Sequence, residues 1–222
     1  MPFFQDPQGT VINVAVLLLS LTVHEFFHAW TAWRLGDDTA ARAGRLTLNP
    51  IPHIDLLGTI ILPLMNAPIG WAKPVPVNPA RFSRKWTMGS GDILVSAAGP
   101  LSNLGLGLLV SVIYGLLLRF GPDLVTPGAA AHAILLRFML VNSGLALFNL
   151  LPIPPLDGGH VAANLIPYRW RGAWDQYAHF APYILVALVI FNSSLPVLSW
   201  VLGPPRHLIL SAFNLVIRAL AG

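Results

Sequence analysis

His24, Glu25 and His28 stand together in the string HEFFH, and Glu25 is the only glutamate among 222 residues. The string falls inside an apolar run from about Val11 to Trp33. Burying a carboxylate and two imidazoles in hydrocarbon is costly unless they act together. On a helix, residues four apart share a face, so His24 and His28 can address a single ion while Glu25 projects beside it. Two imidazoles on Zn²⁺ with a carboxylate alongside is the equipment of a zinc hydrolase. Zinc lowers the pKa of a bound water to about 7, and the carboxylate takes the proton. The plainer reading is a pair of histidines satisfied by hydrogen bonds in a helix bundle. It requires all three ionisable groups to reach this spacing by chance.

A catalytic zinc usually takes three protein ligands and keeps one position open. With no second glutamate, the third ligand must be an aspartate or a histidine. Asp157 is the best placed, in NLLPIPPLDGGH at residues 149 to 160, directly after an apolar segment. Pro152, Pro154 and Pro155 oppose a regular helix there, and Gly158 and Gly159 permit a tight turn. Irregular backbone at membrane depth is tolerated where it lines a cavity or is covered by protein, so this stretch can lower an aspartate beside the histidines. Taken alone, it also reads as an ordinary helix stop with a DG turn. His160 and His53 are weaker ligand candidates. His132, His179 and His207 lie near segment ends and suit an interface.

These residues need elements to carry them, and composition says which. Hydrophobic residues make up 55% of the chain and charged residues 10%, against about 25% charged in a soluble domain. The reading is an all-α polytopic membrane protein, one membrane-embedded domain over residues 1–222. Its core motifs fall within 10–165 and its C-terminal helices within 178–220. About five transmembrane helices are predicted: Val11 to Trp33, Ile93 to Leu118, roughly Ala133 to Leu151, roughly Ala178 to Leu198, and a marginal Leu208 to Leu220. Leu56 to Met65 is too short to cross and is read as re-entrant.

Net charge is +4, but the basic residues are scattered, and no aromatic-basic array for nucleic acid is present; the bilayer is the partner. Basic residues cluster between Arg34 and Asp92, which puts that loop in the cytoplasm with Arg169, Arg171 and Arg218. The N-terminus then faces outward and the C-terminus inward, across a cell membrane, with the HEFFH string towards the cytoplasmic side. Without cysteine there are no disulfides or thiolate ligands. The stretch MPFFQDPQGT lacks a basic region, and cleavage after the first apolar run would discard HEFFH, so no cleaved signal peptide is expected.

HEFFH, AGPLSN at residues 98 to 103 and NLLPIPPLDGG at 149 to 159 together resemble the site-2 protease family of intramembrane zinc metalloproteases. The resemblance covers roughly residues 10 to 165. It implies one Zn²⁺ per chain held by His24, His28 and Asp157, with Glu25 as general base. Asn149 would assist substrate or transition-state binding, and Gly99, Pro100 and Asn103 would serve packing or a polar network. The implied activity is hydrolysis of peptide bonds within or near transmembrane segments, in regulated intramembrane proteolysis. The implied substrate is a single-span membrane protein, such as an anti-sigma factor or a membrane-tethered regulator, already trimmed outside the membrane. A helix before the HEFFH helix, a PDZ-like insertion and a CBS pair are not expected, which suggests a minimal form of the family.

The segment GWAKPVPVNP at residues 70 to 79 alternates proline and valine, a pattern that resists helix. The family has a re-entrant, β-structured loop at this place in the order. Lys73, Pro74, Val75, Pro76 and Val77 are therefore predicted to form an edge strand that holds an unwound substrate by backbone pairing. The bland counterpart is a cytoplasmic loop stiffened by prolines. Two other functional classes fit parts of the pattern. A membrane metal-ion transporter would show further polar ligands along a path, and the other helices are nearly bare of them. A non-catalytic zinc-binding scaffold would have no need of Glu25.

Overall fold

The computed structural model describes residues 6–65, 70–194 and 196–222. Residues 66–69, just after the predicted re-entrant piece, residue 195, inside a predicted span, and residues 1–5 of the N-terminal stretch lie outside the described residues. Among the described residues six helices of nine residues or more make up the fold: α1 Pro7–Leu35, α2 Met88–Phe120, α3 Ala130–Asn149, α4 Asp157–Leu165, α5 Arg171–Ile190 and α6 Val197–Ala221.

Local signals set the helix ends that matter for the site. Asp6 caps α1 by accepting from Gly9 N–H at 2.8 Å, with Pro7 in the first turn, and Gly36 ends it at φ +110°, a left-handed conformation suited to glycine. Thr87 and Ser90 form a reciprocal capping box at the start of α2. α2 is the hub: α1, α3, α4 and α6 all pack on it. Its second half forms an apolar core in which Val110 and Tyr114 meet Val125, Met139, Phe213 and Ile217. Small residues let α6 come close; a Cβ on Gly107 would lie 2.6 Å from the Phe213 ring.

Among the described residues three helices are long and apolar enough to cross a membrane: α1, α2 and α3. This corrects the expectation of about five spans. α5 and α6 have the length, at 20 and 25 residues, but not the composition. α5 opens with Arg171, Asp175, Gln176 and His179, and α6 carries Pro204, Pro205, Arg206 and His207 at its centre. The predicted segment 178–198 also merged two elements, since α5 stops at Ile190 and α6 begins at Val197.

The connection between α1 and α2 is the second correction. Leu56–Ile61 forms a wide π-helical turn that continues into Leu62–Leu64. Those nine residues rise about 14 Å, against a hydrocarbon core about 30 Å thick. The chain then doubles back: Trp71 N–H donates to Gly58 O at 3.2 Å and Thr59 Oγ1 to Trp71 O at 2.8 Å. The partly β-structured loop does not form; among the described residues there is no strand, and residues 70–78 run without regular structure. Pro74 and Pro76 lack N–H groups, so that edge of an extended segment cannot sustain a two-way ladder. The N–H groups beside Pro74 are taken individually. Lys73 donates to His53 O at 2.9 Å, and Val75 to a side chain of α1.

Candidate metal centre

His24 and His28 project from one face of α1, with their Nε2 atoms 3.0 Å apart. Asp157, the first residue of α4, brings Oδ2 to 3.1 Å from His24 Nε2 and Oδ1 to 3.3 Å from His28 Nε2. These separations match the edge of a tetrahedron with metal–ligand bonds of about 2.0 Å, roughly 3.3 Å. Both imidazoles are buried.

The surroundings decide which ring nitrogen faces the cluster. His28 Nδ1 lies 2.7 Å from Val95 O, and a carbonyl only accepts, so Nδ1 carries the proton and Nε2 offers its lone pair. His24 Nδ1 lies 2.7 Å from Asn103 Oδ1, to the same effect. Pro100, inside the same helix, has no N–H for the Ser96 carbonyl next to Val95. Gly99 makes room for both rings: a Cβ there would lie 2.3 Å from His28 Nε2 and 2.6 Å from His24 Cε1.

Asp157 arrives on backbone that folds over itself. A Cβ on Gly158 would meet Leu150 O at 2.3 Å, so only glycine lets the start of α4 press against the end of α3. Asp157 Oδ2 is buried and receives no hydrogen bond among the described residues. An orphaned carboxylate oxygen facing two lone pairs is unfavourable without a cation, and so the donor set fits Zn²⁺. Among the described residues there is a single such site, His24, His28 and Asp157.

Glu25 is buried beside the cluster, and Val75 N–H donates to its Oε2 at 2.9 Å. A cavity of about 660 Å³ opens on the cluster. Glu25, Asn149, Pro74, Val75 and Val77 line it. Lys73 and Pro76 are exposed and do not. Asn149 is the last residue of α3, and its Nδ2 donates to Leu145 O at 3.0 Å. His160 also lines the cavity, where Asp92, 3.7 Å away, holds its pKa above the ordinary imidazole value. The other ligand candidate, His53, is fully buried and engaged elsewhere, by Arg45 Nη2 at 3.4 Å and Thr47 O at 2.9 Å. His132 pairs with Tyr114 Oη at 2.8 Å.

Sequence reasoning missed Asn142, which is fully buried and reaches Asn103 at 2.8 Å. Its signal was available: an amide inside an apolar helix, open to the same argument that singled out Glu25.

Over 215 residues, 93% of each chain, the sequence is 40% identical to YwhC of Bacillus subtilis strain 168, a candidate zinc metalloprotease by name. The chain belongs to the site-2 protease family of intramembrane zinc metalloproteases. Two further relatives carry the same description under the name Rip2. The one from Mycobacterium tuberculosis H37Rv is 34% identical over 87% of this chain and 71% of its own length. The one from Mycolicibacterium smegmatis is 34% identical over 72% of this chain, which spans 60% of that relative. No family profile matches the chain, and no solved structure does. Like the family, this site-2 protease is an integral membrane protein with zinc hydrolase chemistry, and two of the three ligands, His24 and His28, lie on a membrane helix.

Proposed function

We propose that this chain is an endopeptidase that cuts within or near the transmembrane segment of a membrane protein, with Glu25 as general base and His24, His28 and Asp157 as zinc ligands. The observation that carries this reading is the convergence of three ligand atoms from two distant stretches of chain, beside a buried carboxylate, at the wall of a cavity. Zinc, when bound, supplies acidification of a water and polarisation of a carbonyl oxygen. The chain's own residues do the rest. Among the described residues only Val75 donates to Glu25, at Oε2, which leaves Oε1 to take a proton from the attacking water. Glu25 then returns that proton to the departing amine. Asn149, at the cavity wall, offers its amide to the substrate carbonyl. Pro74, Val75 and Val77 form the wall along which an unwound segment lies.

The charge distribution supports an N-terminus outside, a C-terminus in the cytoplasm of a cell membrane and cleavage in the cytoplasmic half of the substrate helix. The substrate class that suits this is a single-span protein already shortened outside, such as an anti-sigma factor or a membrane-tethered regulator.

The test is zinc analysis of the purified protein together with cleavage of model transmembrane segments, for wild type, Glu25→Gln and Asp157→Ala. Zinc and cleavage are expected in wild type, zinc without cleavage in Glu25→Gln, and neither in Asp157→Ala. Zinc uptake into proteoliposomes with no peptide cut would instead identify a transporter.

A further inference from the structure

Ser20 on α1, Asn103 on α2 and Asn142 on α3 are all fully buried and meet in one hydrogen-bonded network beside the metal ligands. The donors and acceptors can be assigned from its ends. Phe138 O accepts from Asn142 Nδ2 at 2.8 Å, and because a carbonyl cannot donate, the Asn142 amide is oriented with Nδ2 there. The second Nδ2 proton goes to Ser20 Oγ at 2.9 Å. Asn142 Oδ1 is then turned towards Asn103 and accepts from its Nδ2 at 2.8 Å. The remaining Nδ2 proton of Asn103 reaches Ser20 O at 3.2 Å. Both donors of Asn103 are committed, so its Oδ1 must face His24, 2.7 Å from Nδ1. That oxygen accepts a proton from Nδ1 and leaves the Nε2 lone pair aimed at Asp157 and His28.

We propose that Asn142 is a positioning residue for the zinc ligand His24, acting through Asn103 to hold the imidazole in its metal-binding tautomer. This rests on the reading of the cluster as a zinc site. Without the Asn142 acceptor, one Asn103 proton loses its partner in an apolar interior, and the amide gains a reason to turn over. A turned amide points Nδ2 at His24 and moves the ring proton to Nε2, where the lone pair is needed. Partners of this kind, hydrogen-bonded behind a metal ligand, commonly change metal affinity by about 10- to 100-fold when lost.

The experiment measures zinc retention against a graded chelator, and the visible spectrum after cobalt substitution, in detergent-purified full-length protein. Asn142→Ala is expected to hold zinc about tenfold less tightly, near the lower end of that range, with an altered cobalt spectrum. Asn142→Asp has the same shape; as a buried neutral acid it donates to Phe138 O and keeps an acceptor towards Asn103, so its zinc retention and spectrum stay close to wild type. Equal retention in wild type and Asn142→Ala overturns the proposal, and so does equal weakening in both variants. If Asn142→Ala does not fold, Asn142→Leu fills the same space without an acceptor for Asn103; weaker zinc retention there supports the proposal and unchanged retention overturns it. A wild type that binds no zinc would overturn the metal-site reading itself, an outcome distinct from all of these.

Discussion

Glu25 has one oxygen engaged by Val75 N–H and directly follows the metal ligand His24 on α1. Glutamine can still accept from Val75 but cannot carry the water proton. Glu25→Gln should therefore keep its zinc and lose about 10²- to 10⁴-fold in cleavage rate, the usual contribution of a general base; metal analysis beside a cleavage assay reads both. Gly99 makes an equally specific prediction. Alanine there puts a methyl group 2.3 Å from His28 Nε2, so both rings must shift. Zinc occupancy should fall while helical content by circular dichroism stays the same. At this scale much was legible from sequence, because ionisable groups in an apolar helix are expensive and their spacing has few uses. The structure brings His24, His28 and Asp157 together as that argument requires. Asn142 escaped because a single neutral amide costs less to bury, and its partners are far away in sequence.

The segment 70–78 shows how an element can be misread from a correct local signal. Proline alternation does keep it out of a helix, but a strand also needs a neighbour, and Pro74 and Pro76 deny donors to one edge. What holds the segment is a set of separate anchors. His53 O accepts from Lys73 N–H, and the buried Arg45 guanidinium donates to Lys73 O. Further on, the buried Asp37 accepts from Asn78 N–H at 2.6 Å. Replacing residues 73–77 with a Gly/Ser stretch keeps N–H groups available yet removes the preset extended shape. Cleavage of a membrane substrate should drop while zinc content is unchanged. Unimpaired cleavage would show that these residues do no more than close the connection.

Across the whole molecule, hydropathy located α1, α2 and α3 to within a few residues, and it overcounted where polar side chains and prolines interrupt α5 and α6. Composition alone could not show that α2 would be the hub on which the other helices pack. The metal joins two parts of that assembly, the first helix and the start of α4. A chelator should accordingly lower the midpoint of thermal unfolding, and added zinc should restore it. The shift corresponds to about 2.7 kcal/mol when free zinc exceeds its dissociation constant 100-fold; Asp157→Ala should not respond.

Asp157 enters the centre only after the chain has turned back from α3 over the prolines that follow it. During synthesis the two imidazoles leave the ribosome long before their carboxylate partner exists, since domains are made from the N-terminus onward. A half-made chain can thus hold a pair of ring nitrogens but no complete cage. The peptidase is unarmed until the chain beyond its third membrane helix has been made.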